Sequence, residues 1–153
     1  MADDLEIFYF DIQHAIDVHD WIIENSGGRP GILEIGYLES ALDHIQNDVY
    51  YPTFEEKLTH LVFAINKFHA FNDGNKRSSI ALGAYFLELN GFDFCVKQFV
   101  LEMENVAVWL AKNQIGKELL GEIVLSLIEN DEYPEELKLK IFEAVSDGGD
   151  QLP

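Results

Sequence analysis

Residues 69–77, His-Ala-Phe-Asn-Asp-Gly-Asn-Lys-Arg, hold most of the side chains in this chain that could do chemistry together. His69 can exchange a proton near neutral pH. Asp73 is a hard oxygen ligand of the kind that holds Mg²⁺ between a protein carboxylate and substrate phosphates. Lys76 and Arg77 fall in the first turn of a helix predicted to start at Asn75, an end where the backbone dipole favours anions and cations are out of place. A cation pair there makes sense when an anion is shared between the side chains and the free backbone N–H groups. Gly74 lets the backbone approach such a ligand closely. Lys67, Lys76 and Arg77 put three of the ten basic residues within eleven positions of an otherwise acidic chain. The stretch reads as a phosphate cradle with a metal carboxylate and a general base. Taken singly, each part has a plainer use: a histidine as a helix cap, Asp-Gly as a turn, Lys-Arg as solvated surface.

Two helices must flank this loop. Thr53 and Glu56 form a capping-box pattern, hydroxyl and carboxylate each satisfying the other's backbone donor. Leu58, Leu61, Val62, Ile65 and Phe68 follow at helical spacing, predicting a helix that stops near His69. A second helix is predicted from Asn75 to Asn90, with Gly91 as its stop. Ile80, Ala81, Ala84, Tyr85, Leu87 and Leu89 nearly encircle it, as in a buried central helix.

Upstream, Asp11 can cap a helix carrying Ile12, Ala15, Ile16, Trp21 and Ile22 at apolar positions, closed by Gly27-Gly28. Another helix is expected over 35–45. Val49-Tyr50-Tyr51-Pro52 reads as extended or turn-like, since Pro52 biases Tyr51 away from the helical region. Phe92 to Val96 reads as a short strand or an extended link, with Cys95 a small buried hydrophobe. Helices are expected at 98–112, 116–129 and 134–145, the last with Pro134 at its first position. The fold class is all-α, with a buried central helix pair.

Composition narrows the function. The 153 residues suit one domain, and 48% hydrophobic with 25% charged residues is the balance of a globular protein. Acids outnumber bases 28 to 10, a formal charge of −18, which repels nucleic acid and anionic lipid and argues against a nuclease or a membrane-surface role. One cysteine excludes an intramolecular disulfide and any multi-cysteine zinc site. His14 and His19, five apart, do not share a helix face as a metal pair would, and are assigned to packing or capping. The Met1-Ala2-Asp3-Asp4 start lacks the basic region of a signal peptide, and the expected compartment is a reducing cytoplasm.

At His69 to Arg77 the chain resembles the Fic/Doc family, specifically its Doc (death-on-curing) branch, whose core motif reads His-x-Phe-x-Asp/Glu-Gly-Asn-Gly/Lys-Arg. Flanking features extend the resemblance over roughly residues 11–128. They are His19, the Gly27-Gly28-Arg29-Pro30-Gly31 loop, Leu38 to Leu42, Glu56 to Leu58 and Phe86 to Gly91. The resemblance implies a single Fic-type domain over 1–130, with a short flap hairpin at Tyr50-Tyr51-Pro52; residues 131–153, which it does not cover, read as an acidic helix and tail. The resemblance also implies ATP and Mg²⁺ as cofactors and transfer from the nucleotide to a hydroxyl of a target protein. His69 would be the catalytic base and Asp73 the Mg²⁺ ligand. Gly74, Asn75, Lys76 and Arg77 would bind the phosphates, and Phe71 would anchor the loop in the core.

Two departures from AMP-transferring Fic enzymes matter. Lys76 stands where they have Gly, and Ile80 where they have a second Arg. In the Doc branch these departures accompany a reversed nucleotide, phosphate transfer and elongation factor Tu as the target. Gly74, by contrast, is shared with the AMP-transferring members, so AMP transfer is the rival reading, and a catalytically silent binding module is a third. Many Fic proteins carry an inhibitory Ser/Thr-x-x-x-Glu-Gly/Asn motif. The Glu-Asn pairs here, at Glu24, Glu104 and Glu129, are preceded four residues earlier by Asp20, Val100 and Leu125, none with the hydroxyl. Restraint is therefore expected from a separate antitoxin.

Overall fold

The structure, a computed structural model, describes residues 6–149. Its order is α1 (Ile12–Ser26), α2 (Ile35–His44), α3 (Phe54–Lys67), α4 (Asn75–Leu89), a 3₁₀ turn (Asp93–Cys95), α5 (Val96–Ala111), α6 (Lys117–Glu129) and α7 (Glu135–Gly149). The chain is all-α, as its periodicities predict.

The centre is the pair α3 and α4, with α1 and α2 on one side, α5 and α6 on the other, and α7 outside α6. Leu58, Leu61, Val62 and Ile65 of α3 and Leu82, Phe86 and Leu87 of α4 are sealed from solvent. Gly83 sets the spacing, because a Cβ there would lie 2.9 Å from the Phe99 ring of α5 and 3.1 Å from Val62. Lys57 is also fully buried; its ammonium donates to the Ile45 carbonyl (2.7 Å) and to Asp48 (2.6 Å), tying the α2–α3 connection to α3.

Asp11 caps α1 by accepting from the His14 N–H at 2.9 Å. The buried seam of that helix is Ala15, His19 and Ile22, and this rotation turns Trp21, expected among the apolar positions, out to solvent. Thr53 caps α3 by accepting from the Glu56 N–H (3.2 Å), but its hydroxyl proton goes to the Glu56 carboxylate (3.0 Å). The reciprocal bond to the Thr53 backbone expected of a capping box is replaced by this side-chain bond. Phe68 falls just beyond α3 and is exposed.

Among the described residues there is no strand, only an antiparallel bridge between Ile32 and Phe71. The flap hairpin expected near Tyr50-Tyr51 is absent there. Asn47 Oδ1 takes the Val49 N–H (2.9 Å) and the Asn47 carbonyl takes the Tyr51 N–H (2.9 Å), so the segment is spent in turns. Phe92 to Val96 is likewise no strand but tightens into the 3₁₀ turn that leads into α5, with Cys95 buried.

Candidate active site

The loop 68–74 joins the C-terminus of α3 to the N-terminus of α4 and is held from three sides. Phe71 at its middle is fully buried, with the His19 ring stacked on it at 3.8 Å and 5°. His19 Nε2 lies 2.7 Å from the Asp73 carbonyl, which can only accept, so this nitrogen carries the proton. On a second side, Asn72 N–H donates to the Gly31 carbonyl (3.0 Å), and the Leu33 and Glu34 N–H groups both donate to the Ala70 carbonyl (2.9 Å each). On the third, the Asn75 amide accepts the Phe71 N–H (3.2 Å) and donates to the Phe71 carbonyl (3.0 Å), as a neighbouring strand would.

This clamp sets the reactive groups. His69 is exposed and has φ +53°, a left-handed backbone that a non-glycine residue adopts at a cost, of the kind that clusters at functional sites. Asp73 Oδ2 accepts from the Arg29 N–H (2.9 Å) and Oδ1 from the Gly74 N–H (2.8 Å). These two bonds, aided by the charges of Arg77 and Arg29, hold its carboxyl below the usual range.

Gly74 caps α4 in the left-handed region, and the first intrahelical bond runs from Ser78 N–H to the Gly74 carbonyl (2.9 Å). The N–H groups of Asn75, Lys76 and Arg77 therefore lie in the first turn without helical acceptors. Arg77 reaches back to the end of α1, where Nη1 donates to Ser26 Oγ (2.7 Å) and the Gly27 carbonyl (2.8 Å). That placement beside the carbonyl end of another helix explains how a cation is tolerated at the start of α4. Gly28 has no room for a side chain: a Cβ would sit 2.8 Å from Asp73 Oδ2 and 2.9 Å from Arg77 Nη2.

A cavity of about 400 Å³ opens over this arrangement, lined by His69, Asp73, Gly74, Asn75, Lys76 and Arg77, with Arg29, Asn66, Asn72 and Ala111. All six residues singled out from the sequence thus share one wall. The Asn75 side chain is committed to Phe71, so its backbone N–H is what it offers a ligand. A larger depression of about 580 Å³ between α3 and α6 is rimmed by Glu55, Glu56, Glu118 and Glu122 and suits an anion poorly.

Among the described residues no carboxylate ion-pairs with Arg29, Lys76 or Arg77, in a chain of 28 acids. No group of three or more His, Cys, Asp or Glu side chains there could cage a metal alone. One carboxylate beside three cations fits a divalent ion shared with phosphates rather than an all-protein site. Arg29, named in the sequence only as part of the Gly27 to Gly31 loop and given no role there, stands outside the motif, as does Ser26. The sequence assigned His19 to packing or capping; the ring is fully buried and braces the Asp73 peptide.

The family model described as Fic/DOC family matches residues 9–87. Two curated relatives are similar over part of the chain. "Protein kinase doc" of Escherichia phage P1 is 36% identical over 83 residues, covering 52% of this chain and 65% of that protein. "Toxin Doc" of Mycolicibacterium smegmatis is 35% identical over 69 residues, covering 42% of this chain and 53% of the relative. The chain thus spans less than two thirds of the length of either.

Proposed function

The chain belongs to the Fic/DOC family, and on that premise we propose that it is a Doc-like toxin that transfers phosphate from ATP·Mg²⁺ to a Ser or Thr hydroxyl of a target protein. The observation that carries the reading is the shared cavity, where His69, Asp73, Lys76 and Arg77 meet and none of the described acids forms an ion pair with the cations. Bound ATP·Mg²⁺ would supply the activated phosphoryl group. Arg77 and Lys76 hold phosphate oxygens beside the free N–H groups of the α4 first turn. Asp73, ionised and fixed by two backbone donors, holds the divalent ion. His69 accepts the proton of the incoming hydroxyl. Positioning and charge neutralisation supply most of the rate in such transfers.

Lys76 favours phosphate over AMP transfer, because its stem fills the space where a bare backbone nest would seat the nucleotide in the other direction. AMP transfer remains the second reading on the strength of Gly74, which the AMP-transferring members share. The target approaches over the His69 side. There the bridge with Phe71 turns the N–H and C=O of Ile32 outward, and Leu33, Tyr37 and Phe68 are exposed. Elongation factor Tu is the target by family likeness, and a separate antitoxin is the restraint.

The test is incubation with cell lysate and ATP labelled at the α or the γ position. Label on protein from γ alone supports phosphate transfer, and label from α supports AMP transfer. No label from either position leaves a binding module that kept the fold.

A further inference from the structure

We propose that Arg29, contributed by the loop between α1 and α2, is a third phosphate-contacting residue, supplying a second guanidinium beside that of Arg77. The proposal rests on the phosphate-donor reading of the cavity and adds a residue outside the motif to it.

Arg29 lies in the cavity wall with Lys76 and Arg77, although it is far from them in sequence. Arg77 has already spent Nη1 on Ser26 and Gly27, which leaves Nη2 and Nε for a ligand. Arg29 has spent one donor, Nη2 to the Asn72 carbonyl at 3.1 Å, and keeps the rest of its fork. That bond ties the guanidinium to the edge of the loop, and none of the described carboxylates ion-pairs with it.

The backbone of the same residue does a second task. Arg29 N–H donates to Asp73 Oδ2, so one residue touches the metal carboxylate through its peptide and faces the phosphates through its side chain. The side chain and the peptide of Arg29 are thus both bonded to the Asn72-Asp73 segment. Arg29 thereby links nucleotide and metal binding, and linkage makes the effect reciprocal.

Substitution of the side chain leaves the peptide N–H in place, which separates the two tasks. The Kd of ATP and of inorganic pyrophosphate, each with and without Mg²⁺, should be measured over a range of salt for the wild type, Arg29→Gln and Arg29→Lys. Thermal melts control for folding. Arg29→Gln is expected to weaken both ligands about tenfold or more and to flatten the salt dependence. Arg29→Lys should restore the salt dependence and part of the affinity. Equal pyrophosphate affinity and equal salt slope in wild type and Arg29→Gln overturn the proposal, as does a variant that loses melting temperature alone. A wild type that binds pyrophosphate more tightly than Arg29→Gln, yet transfers no label from ATP, supports Arg29 as an anion contact and overturns only the donor reading.

Discussion

His69 packs against little, so its removal separates chemistry from folding. We expect His69→Ala to lower transfer by about 10²–10⁴-fold with unchanged helicity and melting temperature; a folded variant that transfers label at the wild-type rate contradicts the base assignment. Asp73→Ala should fail through the metal, and its residual activity should no longer follow the wild-type Mg²⁺ titration. Asp73 is held ionised, since its folded carboxyl lies below its ordinary 3.8. The stabilisation this brings is present above that value and is lost only as pH falls through the lower folded one. Gly28→Ala probes the crowding between Asp73 and Arg77. At φ +120° with a Cβ 2.8 Å from the carboxylate, the substitution should cost about 1–3 kcal/mol of stability and weaken nucleotide binding, read by melting and calorimetry.

At the scale of elements, α3 and α6 are joined by a polar contact that responds to pH. The Lys117 ammonium donates to His60 Nδ1 (2.8 Å), and the Tyr51 hydroxyl lies 3.1 Å from the same nitrogen. Burial first, then the charge of Lys117 and the proximity of His44, pull the imidazole from 6.5 down to about 4. The unfolded chain takes up this proton near 6.5 and the folded one does not, so stability falls as pH drops from 6.5 towards 4. Urea midpoints across that window should decline in the wild type and flatten in His60→Gln; parallel slopes would contradict the assignment.

The helices themselves were legible because caps and glycine stops bracket long apolar periodicities: α1 and α3 begin where Asp11 and Thr53 place them, and α4 begins at Asn75 as expected. What escaped the sequence depends on distant partners. Arg29 meets Asp73 across 44 positions, and no local pattern announces that. Trp21 faces solvent because His19, a polar residue, takes the inward position to brace the loop. Tyr50 and Tyr51 form turns because one residue, Asn47, collects through its side chain and its carbonyl the backbone donors an edge strand would need.

Across the whole molecule, three cations gather in one cavity of a chain with a formal charge of −18. The acidic C-terminal helix α7 lies on α6 through Leu137, and no residue of it among the described ones lines that cavity. Residues 150–153 of the tail lie outside the described residues. We expect deletion of 132–153 to lower stability by about 2–4 kcal/mol through the uncovered face of α6, with the transfer rate per folded molecule unchanged. Growth inhibition should be relieved by a co-expressed neighbouring protein able to place a carboxylate on Arg77. A several-fold rise in rate from the folded truncation would instead make the tail a restraint in cis.

The paired bonds between the Asn75 amide and the Phe71 backbone bear on time as well as shape. Loops of this length ordinarily open and close quickly, and their amide protons pass to solvent in step. The Phe71 amide is sealed beneath His19 and held by a side chain rooted in α4. It should exchange with deuterium as slowly as amides in the middle of the helices, releasing only when the molecule unfolds. Asn75→Ala should shorten its exchange lifetime by orders of magnitude while leaving the Leu82 and Phe86 amides slow. A Phe71 amide that exchanges fast in the native protein would show that the loop is assembled by its ligands rather than built in advance of them.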